Sequence, residues 1–303
     1  MGATHGFIWK EEAQARLKTL VISGSSAFEI AAILTREFGK IITYSAVIAA
    51  KERYGLNLSY LAKNEKVKTY ECLTLKTDDY MISCDYHSPY VSELYINRFL
   101  YIADKFKIKK NIIIGDLFDF DFVRARFMVG EERSLDKEVE YTEPIIKALN
   151  YFDENTLVTG NHERRVDHYA QDLIKAKHLF GLFGAEIWAK KFKYSIYDKL
   201  YIGKDWMLVH PHSYRQVKTS VAQVLAEKYH RNIINTHGHF VGMAYERSGT
   251  YLCIDLGGMF DRKKMAYINL QTTTHPTWNN GFGMFLDGYF HQFHEGTDMR
   301  FWT

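Results

Sequence analysis

Five short apolar runs in this chain each end on residues of the kind that bind metals. DYMISC runs into Asp85 and His87, NIIIG into Asp116 and Asp119, and NTLVTG into Asn161, His162 and Glu163. Further on, DWMLV leads to His210 and His212, and RNIINT to His237 and His239. Ile112, Ile113 and Ile114 read as a strand covered on both faces. Gly115 lets the chain turn there and leaves Asp116 and Asp119 at the strand's carboxyl end, the edge where open α/β sheets bind ligands. One such group reads equally well as a strand cap and a solvated turn. Five of them confine the chain to a fold that gathers strand ends around one place.

Between these runs lie helical stretches, ELYINRFLYIADKF and a longer polar one around EERSLDKEVEYTEPIIKALNYF. Strands alternating with helices predict an α/β domain over residues 79–303. After Asp261 an aromatic-rich segment is expected to supply strands that complete a sheet, or a surface on which bases stack. His275, His291 and His294 in that segment lack ligand-like spacing and are expected to be structural.

The first 58 residues have a different rhythm. EEAQARLKTLVISG places Ala13, Leu17, Leu20 and Val21 on one helical face, and Gly24 is expected to end it. SSAFEIAAILTREFG carries Phe28, Ile30, Ala31, Ile33 and Leu34, with Ser25 or Ser26 as cap and Gly39 as stop. TYSAVIAAKERYGL starts with Thr43 or Ser45 as possible caps and stops at Gly55. Three short helices with tight turns match a helix-turn-helix module, and residues 59–78 read as a polar linker.

Charge placement agrees with that division. The whole chain carries only +3, so it is no polycation. Between Trp9 and Lys68 there are ten Lys and Arg against six Asp and Glu, a local excess of four positive charges. This modest asymmetry points to nucleic acid as a partner. Three cysteines without a CxxC pair form neither a disulfide framework nor a zinc ribbon, and fit a reducing compartment. No run of 18 apolar residues occurs and no signal peptide is expected, so the expected location is the cytoplasm of a bacterial or phage-infected cell, without membrane partners. Oligomers are compatible with this composition.

The residue types at the strand ends have a chemical logic. Paired divalent metals about 3.5–4 Å apart need a bridging carboxylate and several neutral imidazoles. Imidazole and carboxylate suit Mn, Fe, Zn, Ni or Co. In an extended segment positions i and i+2 share a face, so Asp85 with His87, and His237 with His239, are expected to align by strand alternation.

The helical segment, through SGSSAFEIAAILTREFG and TYSAVIAAKERYGL, resembles small phage and bacterial helix-turn-helix domains. That resemblance implies that the third helix meets DNA through Thr43, Tyr44, Ser45, Lys51 and Arg53. A small helical bundle that binds protein is the other reading.

Over residues 80–260 the order DxH, GDxxD, GNHE, a lone His and HxH resembles the calcineurin-like metallophosphoesterase family. The resemblance implies a two-sheet β-sandwich flanked by helices and two divalent metals, with Mn the first expectation. Asp85, His87, Asp116 and His239 would hold one metal; Asp116, Asn161, His210 and His237 would hold the other. His162 would contact phosphate and protonate the leaving oxygen, with Asp119 orienting His87 or His162. Two departures stand out. The glycine usual before the first histidine of the last motif is Thr236 here, and His210 is followed by Pro211 with His212 as a rival ligand. An alignment on Gly238-His239 would leave Val241 at a ligand position, so His237 with His239 is preferred. Glu163, Arg164 and Arg165 are expected either near substrate or in a solvated, charge-rich turn, and Asp121 reads the same way.

The implied reaction is hydrolysis of a phosphate ester. With the basic module in front, a phosphodiesterase or nuclease acting on DNA is the leading expectation. A phosphatase tethered to DNA, and a DNA-binding regulator with a structural metal centre, are the alternatives.

Overall fold

Apolar periodicity and end caps account for the first three helices. In a computed structural model, which describes residues 7–23, 25–56, 72–120, 134–169, 192–213, 215–265 and 278–302, they are α1 (Glu11–Ile22), α2 (Ala27–Phe38) and α3 (Tyr44–Arg53). Ser26 caps α2 reciprocally: its hydroxyl accepts from Glu29 N–H, and Glu29 accepts from Ser26 N–H at 2.7 Å. Gly39 ends α2 in the left-handed region at φ +63°, and Thr43 caps α3 by accepting from Ala46 N–H. Leu17, Leu20, Ile30, Leu34, Val47 and Ala50 interlock as the core of this unit. Phe28 departs from expectation. It lies about 200° around the helix from Ile30, so the two cannot share a face, and its exposed ring meets that of Tyr44 at 5.2 Å.

The chain divides into two compact units, the second starting at Cys72 rather than at residue 79. The reason is β1 (Thr74–Leu75), which already pairs with β6 (Lys199–Ile202). Residues 57–71, most of the expected linker, lie outside the described residues, as do Gly24, Asp121 and His275.

Two mixed sheets form the second unit. One has the order β12-β11-β2-β3-β4-β5 and the other β1-β6-β7-β8-β10-β9. In the first, β2 (Tyr80–Ser83), β3 (Lys110–Ile114), β4 (Glu154–Val158) and β5 (Phe192–Ser195) run parallel. The aromatic C-terminal segment adds β11 (Gly281–Leu286) and β12 (Tyr289–His294) antiparallel at one side, the first of the two expected roles. In the second sheet β7 (Trp206–Val209), β8 (Asn232–Asn235) and β10 (Leu252–Leu256) are parallel neighbours, with β9 (Val241–Tyr245) antiparallel at the edge.

Period-two alternation builds the layers. Ile82, Ile112, Ile114 and Val158 face inward and meet Leu208, Ile234, Ile254 and Leu256 from the opposite sheet. Their neighbours Met81, Ile113 and Leu157 point outward, where α4 (Glu93–Lys105) and α5 (Leu135–Leu149) cover them. Met207, Val209, Ile233 and Cys253 are covered by Ala222 and Ala226 of α7 (Ser220–Tyr229). Each fully buried isoleucine stabilises this sandwich by about 1.5–3 kcal/mol. Strand bodies buried on both faces leave their carboxyl ends as the place for polar chemistry. Among the described residues no helix is long and apolar enough to cross a membrane.

Candidate metal centre

The loops that leave β2, β3, β4, β7 and β8 bring the polar side chains of these strand ends together with Gly115 and Gly160. Sharp turns at the strand ends make this possible. Gly115 has φ +73°, and a Cβ there would stand 2.5 Å from the His210 ring. A Cβ on Gly160 would stand 2.1 Å from Asp116 Oδ1. Both positions need glycine for close approach.

Asp85, His87, Asp116, His237 and His239 also take left-handed backbone, with φ between 47° and 71°. This corrects the expectation of extended DxH and HxH segments. The paired side chains converge, but through left-handed turns rather than strand alternation. Such conformations cost about 1–2 kcal/mol per non-glycine residue and concentrate at functional sites.

Among the described residues three groups of possible ligands result; one is His87, Asp119 and His162, and the other two contain the expected ligands. Asp85, His87 and His239 offer donor atoms within 4.8 Å of one another, and so do Asp116, His210 and His237. His239 Nε2 lies 3.0 Å from both Asp85 Oδ1 and His87 Nε2. Asp116 Oδ2 stands between the clusters, 3.3 Å from His210 Nε2 and 3.9 Å from His87 Nε2. Asn161 Oδ1 joins the second cluster, 2.9 Å from His210 Nε2. Of the two rival histidines, His210 is buried beside Asp116, while His212 is exposed and stands 3.7 Å from Asp198.

Hydrogen bonds on the far ring atoms fix the imidazoles. His87 Nδ1–H donates to Asp119 Oδ1 at 2.9 Å, and His210 Nδ1 lies 3.1 Å from Ile114 O and 2.9 Å from Thr236 Oγ1. Thr236, where a glycine was expected, therefore supports the His210 ring. With Nδ1 as donor, the Nε2 lone pairs of His87 and His210 aim at carboxylate oxygens and at other lone pairs. Asp85 Oδ1 and Asp116 Oδ2 are buried and receive no hydrogen bond. Acceptors facing acceptors in a buried space are well satisfied by cations between them. The donor set, imidazole and carboxylate without thiolate, fits divalent metals.

Proton affinities express the same imbalance. Against the cost of burial, the facing imidazoles of His162 and His210 hold Asp116 well below the usual carboxylate range. Burial opposes a charge on His87, yet Asp119 and Asp85 lift it to about 10. His210 is likewise lifted against burial, chiefly by Asp116, to about 9. His237 moves the other way: burial and the charge of His210 push it down to about 4. Without metal, protons on His87 and His210 take the place of cations.

His162 stands beside both clusters. Its N–H donates to Asp116 Oδ1, and its Nδ1 lies 2.7 Å from Asp119 O and 3.0 Å from Asp119 Oδ1. Arg165 Nη2 donates to His162 Nε2 at 2.7 Å, and Nη1 to Asp119 O at 2.7 Å. Burial, with the charge of His87, lowers the His162 pKa although Asp116 and Asp119 oppose it. Its neutral form, with Nδ1–H donating and Nε2 accepting, satisfies every contact. Arg164 is half-buried, and its Nε has no hydrogen-bond partner among the described residues.

Two carboxylates were missed or misread. Glu163, expected near substrate or in solvent, is fully buried at the start of α6 (Glu163–Tyr169). It accepts from the N–H groups of Asp116, Leu117, Phe118 and Gly160 at 2.8–3.2 Å, tying the two ligand loops together. Burial and the Asp116 charge push it up to about 7. The four donors aimed at its two oxygens favour the carboxylate. Glu138 of α5 similarly accepts from Asp119 and Phe120 N–H. The turn after GD gave no sign that its backbone needed two distant acids.

In the first unit Thr43, Tyr44, Ser45 and Arg53 are exposed. Lys51 departs from the expected outward row: it is turned into the unit and is 9% exposed.

No family model matches this sequence. No curated protein matches it either. Solved structures with a similar chain path include Vps29 of Chaetomium thermophilum, at 11% identity and TM-score 0.38, covering 72% of this chain and 91% of that one. The E. coli phosphoesterase YfcE is 15% identical with TM-score 0.35, over 69% and 89% of the two chains. Pseudomonas putida nuclease MPE is 15% identical with TM-score 0.33, over 71% and 87%. Likenesses this distant assign neither family nor activity, which rest on the centre itself.

Proposed function

We propose that this chain is a two-metal phosphoesterase of the calcineurin-like kind, hydrolysing phosphodiester bonds in nucleic acid. The observation that carries this reading is the position of Asp116 Oδ2, a buried oxygen without a hydrogen bond between two clusters of imidazole and carboxylate donors. Asp85, His87, Asp116 and His239 would hold one divalent ion and Asp116, Asn161, His210 and His237 the other, with Mn, Fe, Zn, Ni or Co all suited to these donors. Ions held there would supply an activated water and offset charge on the phosphate oxygens.

The chain's own residues do the rest. Asp119 holds the His87 ring through Nδ1, which keeps Nε2 turned to the cluster. Arg165 occupies His162 Nε2, so in this arrangement the imidazole offers no free donor on that nitrogen. For His162 to protonate a leaving oxygen, Arg165 must step off Nε2 and that nitrogen must first take up a proton, because the neutral ring carries its only proton on Nδ1. Glu163 keeps the loops of Asp116 and Asn161 at a fixed spacing, so the two ligand sets remain in register.

Nucleic acid as the substrate class is supported by the local positive excess between Trp9 and Lys68 and by Thr43, Tyr44, Ser45 and Arg53 exposed on or beside α3. The helix-turn-helix reading of the first unit, with α3 meeting DNA, belongs to this proposal.

The test is hydrolysis of a chromogenic phosphodiester and its monoester counterpart with added Mn²⁺, by the wild type and Asp116→Asn. Diester turnover that disappears in the variant is expected. Turnover of the monoester alone would replace this reading by a phosphatase tethered to DNA. Metal binding without either turnover would favour a regulator with a structural centre.

A further inference from the structure

A wall of two aromatic rings stands against the outer ligand of the first cluster. The Trp278 ring lies 4.3 Å from the His239 ring, nearly perpendicular at 79°. Phe260 packs on the same imidazole at 4.7 Å and on Trp278 at 5.6 Å. Phe260 is fully buried, whereas Trp278 is only half-buried.

The wall is fixed to the ligand loop. Asn279 N–H donates to His239 O at 2.8 Å, and Asn280 Nδ2 donates to Phe260 O at 2.8 Å. Two exposed cations reach the same short segment. Lys218 Nζ stands 3.5 Å from Asn279 Oδ1, and Arg262 Nη1 donates to Trp278 O at 3.2 Å. Lys263 and Lys264 follow Arg262 and are exposed as well. The neighbouring Asp261 is partly occupied, its carboxylate accepting from Lys263 N–H.

We propose that Trp278, flanked by Lys218 and Arg262, is a platform that receives an unstacked nucleobase and the phosphate next to it, so that the centre acts on single-stranded nucleic acid. This deepens the phosphodiesterase reading and rests on it for the position of the cut. A half-buried indole one ring away from a proposed ligand imidazole suits a flat group attached near the scissile phosphate. Stacking on an aromatic face tolerates any base, and adjacent cations follow the backbone. In a duplex the bases stack on each other, and the indole has no free face to meet.

The test measures binding by the full-length chain, with metal chelated, of a labelled oligothymidylate and of an abasic strand of equal length. Trp278→Ala is expected to weaken oligothymidylate binding roughly 5- to 100-fold and leave the abasic strand unaffected. Trp278→Phe, which keeps an aromatic face, should restore most of the loss. Lys218→Gln and Arg262→Gln should each weaken both strands and lower the salt dependence by about one counterion. If Trp278→Ala binds both strands as the wild type does, or weakens both equally, the indole merely supports His239 and the platform is overturned. Chromogenic diester hydrolysis by the wild type separates the two ideas. Turnover with Trp278-independent binding removes the platform alone, and Trp278-dependent binding without turnover keeps the platform and removes the phosphodiesterase reading.

Discussion

His87 and Asp119 form the buried pair on which the first ligand cluster turns: the imidazole Nδ1 lies 2.9 Å from the carboxylate Oδ1, and both side chains are about 1% exposed. The same oxygen stands 3.0 Å from His162 Nδ1. One carboxylate thus orients a candidate ligand and the histidine beside it. Asp119→Ala should lower metal affinity about 10- to 100-fold, and Asp119→Asn, which keeps one acceptor, should lower it less. Titration calorimetry with Mn²⁺ reads both; an affinity unchanged in Asp119→Ala would mean that packing alone holds the rings.

Glu163 makes a prediction about stability rather than chemistry. Removing it strands the N–H groups of Asp116, Leu117, Phe118 and Gly160 in a dry interior. Glu163→Ala should destabilise the metal-free protein by on the order of 3 kcal/mol, lowering the urea midpoint. A midpoint equal to that of the wild type would show that the loops do not depend on this clamp.

Gly160 separates size from charge. The single methyl of Gly160→Ala would have to occupy space 2.1 Å from Asp116 Oδ1 and 2.7 Å from Glu163 Oε2. The substitution should cost about 1–3 kcal/mol in stability and displace Asp116 enough to abolish tight metal binding. Wild-type metal affinity in this variant would place the ligand oxygen elsewhere.

Acid sensitivity has a source far from the centre. In the turn between β9 and β10, Glu246 accepts from Ser248 Oγ and from the N–H groups of Ser248, Thr250 and Tyr251. The Ser248 contacts, then those of Thr250 and Tyr251, lower its pKa to about 2 against a small cost of burial. A depressed folded value means the carboxylate stabilises the fold above its unfolded pKa of about 4.3. That stability is lost as pH falls from there through about 2. Glu246→Gln should therefore be less stable at pH 6 and should show a flatter decline between pH 5 and pH 2. Parallel melting curves for the two proteins over that range would contradict the assignment.

Much of this architecture was legible in the residue order, for identifiable reasons. Isoleucine runs followed by Gly-Asp or Thr-His mark strands whose carboxyl ends change abruptly in polarity, and Ile112, Ile113 and Ile114 do divide between the two faces of one sheet. Ser26 with Glu29 announces a helix start. What stayed hidden depends on distance in sequence. Glu138 and Glu163 serve backbone groups rather than side chains, so no motif records their partners. The left-handed turns at Asp85, His87, His237 and His239 leave no trace because the residues that adopt them are not glycine. β1 and β5 are short and partly polar and gain their pairing only from neighbours already in place.

In the proposed centre Asp116 would belong to both ligand sets, and Mn²⁺ titration of the wild type, His239→Ala and Asp116→Ala, read as ions bound per chain, tests that sharing. Two ions are expected for the wild type, with loss of tight binding at one site in His239→Ala and at both in Asp116→Ala. A wild type that binds a single ion, or an Asp116→Ala variant that still binds two with unchanged affinity, would contradict the sharing.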